Sequence, residues 1–168
     1  MAGSLLVSAG MDFAAHIWNV WSEGAVKGPV RTFCHHTSAI KDAQWSSDGA
    51  CILTCGFDQT SRLIDVESGL EIQTFKQDQF VNVVKFHPIN KDEFLSGGSR
   101  GALKLWDIRT GGMVQEYHKS LGEVMDVDFN REGKHFVSAS DIANENVSEK
   151  AIVVWDFATQ LPLSNQVS

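Results

Sequence analysis

The sequence predicts an all-β protein made of repeated four-stranded antiparallel units, and three observations lead there. Apolar marker residues recur with one period of about 42 residues. The segments between them alternate apolar and polar side chains, as half-buried strands do. No stretch of about 12 residues carries a persuasive 3.6-residue periodicity, so no helix is expected.

The period is carried by three independent series. Phe33, Phe75 and Tyr117 are spaced 42 and 42 residues apart. Trp45, Phe86 and Phe129 are spaced 41 and 43 apart. Trp18, Ile64, Trp106 and Trp155 are spaced 46, 42 and 49 apart, in FAAHIWNV (13–20), TSRLIDVESG (60–69), GALKLWDIRTG (101–111) and KAIVVWDFATQ (150–160). The two long intervals have local causes: VWSEGAVKGPV enlarges the hairpin after Trp18, and DIANENVSEK is inserted before the Trp155 strand. Both insertions are polar or contain Gly, which places them in surface loops.

Each unit then reads in order. KDAQW, NVVKF and MDVDF form the first strand, alternating in character. SSDG, HPINKDE and NREG turn the chain, and the Asp-Gly and Glu-Gly pairs supply the positive φ that tight hairpins need. CILTCG, EFLSGG and HFVSAS are the second strands, and the Trp-bearing segments the third. ESG and RTGG turn the chain again into the outer strands QTF and QEY; RTF is the counterpart after Trp18. LPLSNQV (161–167) is the expected last outer strand.

Composition narrows the function. The formal charge is −7, and an acidic surface repels phosphate, which argues against direct nucleic-acid binding. Cys34, Cys51 and Cys55 are odd in number, and the start MAGSLLVSAGM lacks a basic, secretory-type leader, so a reducing intracellular compartment is expected. No run of about 18 apolar residues suggests a membrane span.

Four strands per unit, closing on Trp-Asp, resemble the WD-repeat (WD40) family of β-propellers. The resemblance implies an incomplete open arc of about four blades over 1–168, with units ending near 19, 65, 107 and 156. Propellers of this family commonly have seven blades, so the expectation is a fragment, or an arc that a second chain or missing blades complete. The family's blade-binding tetrad (His, Ser or Thr, Asp, Trp) maps here onto Ser8, Asp12 and Trp18; onto His36, Thr54 and Asp58, with Ile64 in the Trp place; onto Ser96 and Trp106; and onto Ser138 and Trp155. Arg100 stands in the third Asp place, Gln77 or Asp78 in the third His place, and Ser120 near the fourth. No unit is complete.

LVSAGMDFAAHIWNVW, VNVVKFHPINKDEFLSGG and VVWDFATQLPLSNQV resemble a branch of the family that includes spliceosomal members. That implies a place in a splicing or other multiprotein complex, in the nucleus or otherwise the cytoplasm.

Catalytic readings are weaker. Cys34, His35 and His36 with Cys51 and Cys55 invite a zinc reading, but Cys51 and Cys55 lie four residues apart on a strand, roughly 13 Å between α-carbons, too far to bind one metal together. No G-x-S-x-G is present, and GGSRG (97–101) lacks the Lys-Ser/Thr of a phosphate loop. Asp42 and Asp126 recur at one strand position and read as exposed or turn-supporting carboxylates rather than an acid/base pair. The expectation is a non-catalytic protein-protein interaction scaffold without metal or cofactor. The alternatives are a metal-dependent or hydrolytic enzyme on a propeller, or a truncated product without independent function. In the family reading partners dock on a rim of loops, here Met11, Phe57, Phe80 and Ser99, with Lys41 and Arg100 adding charge. Thr37, Ser38, Gln79, Gly122 and Glu123 lie on the loops entering the inner strands.

Overall fold

Fourteen strands account for the regular structure in a computed structural model that describes residues 4–21, 28–117, 122–141 and 152–163. They are β1 (Leu5–Ala9), β2 (Ala15–Asn19), β3 (Arg31–Phe33), β4 (Ile40–Trp45), β5 (Cys51–Gly56), β6 (Thr60–Asp65) and β7 (Glu71–Lys76). After these come β8 (Val81–Phe86), β9 (Glu93–Gly98), β10 (Leu103–Asp107), β11 (Met113–Tyr117), β12 (Val124–Phe129), β13 (His135–Ser140) and β14 (Ile152–Asp156). They pair as four antiparallel sheets in chain order: β1-β2-β3, β4-β5-β6-β7, β8-β9-β10-β11 and β12-β13-β14. Among the described residues there is no helix, and so none long and apolar enough to cross a membrane.

The strand registers reflect the sequence pattern directly. Gly49 and Gly133 take φ of 73° and 69° in the Asp-Gly and Glu-Gly hairpins, and Gly69 and Gly111 take 75° and 69° before the outer strands. A residue with a Cβ avoids that region, which is why glycine stands at these turns. Pro162 makes an isolated bridge to Trp155, where an outer strand of the fourth sheet would begin. The remainder of that expected strand, 164–167, lies outside the described residues, as do most of the two insertions.

The sheets stack side by side in an open arc, and the core sits in the three seams between them. The first seam joins Ala15, Ile17 and Phe33 to Ile40, Ile52 and Ile64. The second holds Leu53, Leu63, Phe75, Val84, Phe94 and Trp106. The third holds Leu95, Leu105, Tyr117, Val127, Phe136 and Trp155. One aromatic arrangement recurs. Phe75 stands edge-on to Phe94 at 4.8 Å and to Trp106 at 5.7 Å, while Phe94 and Trp106 stack at 6.3 Å. Tyr117 repeats it on Phe136 and Trp155, at 5.0 and 5.7 Å, with those two stacked at 5.8 Å. Edge-to-face packing of this kind contributes about 0.5–1.5 kcal/mol per pair beyond area burial. In the first seam Phe33 shares its core with Ile52 and Ile64, which pair directly across β5 and β6. The loss of Trp at 64 is therefore matched by Ile in place of Phe at 52.

Glycine sets how closely the third seam can approach. A Cβ on Gly97 would lie 2.5 Å from Val124 Cγ1 on the next sheet.

The Tyr117 hydroxyl is buried and finds no hydrogen-bond partner among the described residues. Burial, with the charges of Glu93 and Asp156, pushes its pKa up to about 12, so the ring stays neutral. An unpaired buried hydroxyl costs about 1–3 kcal/mol. Tyr117→Phe is expected to raise stability by about 1 kcal/mol, measured as a higher urea midpoint at unchanged m. A lower midpoint would show that the hydroxyl is satisfied in solution.

Candidate protein-interaction rim

The polar residues that could tie each sheet together are brought close, in a different way in every sheet. In the first, Trp18 Nε1 donates to Ser8 Oγ at 2.8 Å. Asp12 reaches His16 Nε2 at 2.7 Å and accepts from the Ala14 amide at 3.3 Å. His16, on β2, was no part of the expected set. Its other nitrogen faces Thr32 Oγ1 at 3.0 Å.

The second sheet builds its group around the buried His36. His36 Nδ1 lies 2.9 Å from Asp58 Oδ2, and Nε2 lies 2.8 Å from Thr54 Oγ1. Asp58 also accepts from the Thr60 amide and hydroxyl, at 3.1 and 2.7 Å, and from the Thr37 amide at 3.2 Å. Ile64 offers no indole N–H, so Thr54 can instead donate to the Arg62 carbonyl at 3.3 Å. Burial holds the His36 pKa below its ordinary value, although the Asp58 charge opposes this. Burial also works against the Asp58 carboxylate, but its hydrogen bonds from Thr60 and the His36 charge outweigh that and keep its pKa low.

In the third sheet Gln77, not Asp78, meets the Ser hydroxyl. Trp106 Nε1 donates to Ser96 Oγ at 2.9 Å, Ser96 donates to Gln77 Oε1 at 3.1 Å, and Gln77 Nε2 donates to Ser61 Oγ at 3.1 Å. Asp78 instead pairs with the nearly buried Lys104 at 2.5 Å and, at 3.9 Å, with Arg100. The Arg100 side chain faces solvent, as a donor-only group in an acceptor's place must. Its turn is held by Gln79, whose Oε1 accepts from the Arg100 amide and whose Nε2 donates to the Ala102 carbonyl, both at 2.9 Å. Gln79 is buried and is no part of the rim. In the fourth sheet Trp155 Nε1 donates to Ser138 Oγ at 2.9 Å, and Ser120 lies outside the described residues.

Above these groups the turns form a rim. Phe57, on the β5–β6 turn, meets Phe80, on the loop entering β8, edge-on at 5.5 Å. Lys41 Nζ stands 5.3 Å from the Phe57 ring centre. The backbone fixes the placement: Phe57 N–H donates to the Ala39 carbonyl and Ser99 N–H to the Phe80 carbonyl, both at 3.0 Å. Phe57 and Phe80 remain 37% and 45% exposed. Met11, 79% exposed, occupies the matching turn of the first sheet, Ser99 is half-buried, and Thr37 and Glu123 are exposed.

Phe13 is a rim residue that the sequence pattern does not single out. It is 45% exposed and takes φ of 65°, where Gln59 and Gly101 stand in the next two turns with φ of 62° and 74°. Left-handed backbone costs a bulky residue about 1–2 kcal/mol, and an aromatic aligned with a glycine was the available signal.

Asp42 does more than support a turn. Its Oδ1 accepts from the Ala43 amide at 2.8 Å, and Oδ2 accepts from the Val84 amide across the second seam at 3.1 Å. Asp126 accepts from the Val127 amide at 2.8 Å and is exposed. The two lie on different sheets, as interface and surface carboxylates. Among the described residues no group of three His, Cys, Asp or Glu could hold a metal. His35 donates towards the Gly69 carbonyl at 3.1 Å, and burial pushes the fully buried Cys55 thiol well up.

With this geometry established, the relatives fall into place. The WD domain, G-beta repeat family matches residues 27–65, the span that ends on the second sheet's third strand. These are WD repeats. The chain is similar to mouse (Mus musculus) WD repeat-containing protein 25, 35% identical over 163 residues, covering 97% of this chain and 30% of that protein. It is 33% identical over 159 residues to human (Homo sapiens) pre-mRNA-processing factor 17, covering 94% of this chain and 26% of that one. The pre-mRNA-processing factor 17 of Saccharomyces cerevisiae is 24% identical over 164 residues, covering 96% of the chain and 34% of the relative. The chain thus spans about a third or less of each of these three relatives.

Two measurements check the site. Because the folded state lowers the His36 pKa, its stabilising contribution is present above the unfolded value of 6.5 and is lost as pH falls from there towards the folded value. Asp58, whose folded pKa is depressed, adds a loss at still lower pH, below 3.8. The unfolding midpoint is therefore expected to fall on acidification below 6.5, and His36→Gln to flatten that limb; an unchanged limb would contradict the assignment. Phe13→Gly should raise stability by about 0.5–1 kcal/mol through relief of the left-handed strain, read from thermal unfolding.

Proposed function

We propose that this chain is a non-catalytic scaffold that binds other proteins through its rim, within a splicing or other multiprotein complex. The carrying observation is the Phe57–Phe80 pair with Lys41 beside it: two large apolar rings left exposed and held in place by cross-turn backbone bonds. Exposed aromatics with a neighbouring cation suit recognition of a protein surface, where a few such anchors carry most of the binding energy. Met11, Ser99 and Arg100 extend the same surface. The residues 1–168 are read as one run of WD units ending near 19, 65, 107 and 156, completed into a ring by further blades or a second chain.

The splicing setting rests on similarity to pre-mRNA-processing factor 17, and a nuclear location follows from the same similarity. Fold alone does not transfer function, so the role is tested at the site. Cross-linking and mass spectrometry in a nuclear extract would identify the protein touching the rim, and a titration with that purified protein would follow. Phe57→Asp and Phe80→Asp are each expected to weaken binding at least tenfold, about 1.4 kcal/mol or more, with the unfolding midpoint retained. Undiminished affinity in both well-folded variants would remove the rim from the interface.

A further inference from the structure

The three seams are built alike, so a vacancy in one can be read from its filled counterpart in another. Ser46 and His87 are equivalent, each following the last residue of an inner strand, β4 or β8. Ile108 and Phe157 are equivalent as well, each following the Asp that closes β10 or β14. In the third seam the His87 ring is packed against Phe129 at 5.0 Å and Phe157 at 4.9 Å, and its Nε2 donates to the Gly133 carbonyl at 3.2 Å. In the second seam the small Ser46 stands where His87 would, and Ile108 where Phe157 would.

The consequence is an open groove of about 480 Å³ between the second and third sheets, on the side of the β4–β5 and β8–β9 turns. Trp45, Cys51, Leu63, Phe86 and Ile108 supply its apolar lining. Burial pushes the Cys51 thiol pKa up, so the lining carries no thiolate charge at neutral pH. Lys91 and Asp48, paired at 3.3 Å, also line the groove and add polar groups to it.

We propose that this groove binds an aromatic side chain of a partner polypeptide, whose ring takes between Phe86 and Ile108 the place that His87 takes between Phe129 and Phe157. Two facts favour a ring over an aliphatic chain: the equivalent space one seam away is filled by a planar side chain, and the wall already contains Trp45 and Phe86, which reward edge-to-face or offset contact. The volume lies in the range of sites that enclose a small ligand. The inference is independent of the Phe57–Phe80 rim, which lies on other turns.

The test uses indole as the probe, with binding read from backbone amide shifts of the full chain. Indole is expected to shift the amides of Ser46, Cys51, Phe86 and Ile108 saturably, and cyclohexanol at the same concentration to shift them less. Ser46→His fills the groove from one wall as His87 does, and Ile108→Phe fills it from the other as Phe157 does. In whichever variant keeps the wild-type pattern of strand amides, indole affinity should fall at least about tenfold, the scale on which a pocket responds to a change of methylene size. Absence of saturable shifts at those four amides in the wild-type chain overturns the proposal, as does equal binding of cyclohexanol or undiminished indole binding in a folded variant.

Discussion

The seam between neighbouring sheets is the interaction on which the rest of the molecule depends. A four-stranded sheet has two faces and covers neither by itself, so each sheet here is stable only against the next. The device is the same three times: one aromatic of each outer strand, Phe33 on β3, Phe75 on β7 or Tyr117 on β11, lies over the paired residues of the following sheet. Those pairs are Ile52 with Ile64, Phe94 with Trp106 and Phe136 with Trp155. The two members of each pair are matched in kind, both aliphatic in the first seam and both aromatic in the other two, as close packing requires.

Against that apolar constant, the polar groups beside the seams vary freely. One Ser accepts from an indole and donates its own hydrogen bond to Gln77; one Thr serves a buried His36 instead; another Ser meets only Trp18 among the bonds described. Each net hydrogen bond is worth about 1 kcal/mol, small beside a buried aromatic. The polar network can therefore diverge as long as no buried group is stranded, and Gln79 shows how that is avoided when Arg100 replaces an acceptor. The same freedom lets the turns above carry Phe57 and Phe80, because no seam dictates what stands there.

Much of this was legible from one sequence. The 42-residue spacing of Phe33, Phe75 and Tyr117 is the spacing of the seams themselves, and alternation in KDAQW and NVVKF reports a strand with unequal faces. Other features were not legible because they depend on which side chain reaches across. Gln77 and Asp78 are adjacent in the loop between β7 and β8, yet only Gln77 meets Ser96, while Asp78 reaches Lys104. Asp42 and Asp126 look identical in pattern, and a neighbouring sheet's amide separates their roles. The left-handed backbone at Phe13 shows in the sequence only as an aromatic standing where Gly101 stands two turns later.

By itself the sequence determined the all-β class, the repeat, the order of strands and the residues that build the seams, because period and alternation are properties of a chain folding locally against identical neighbours. Tertiary structure alone decided which polar groups meet, that Gln79 turns inward while Phe57 and Phe80 share one exposed cluster, and that Ser46 leaves a groove where His87 fills one. Those outcomes turn on distances of a few ångströms between residues 19 to 46 positions apart, a range over which packing rather than local propensity selects the partner.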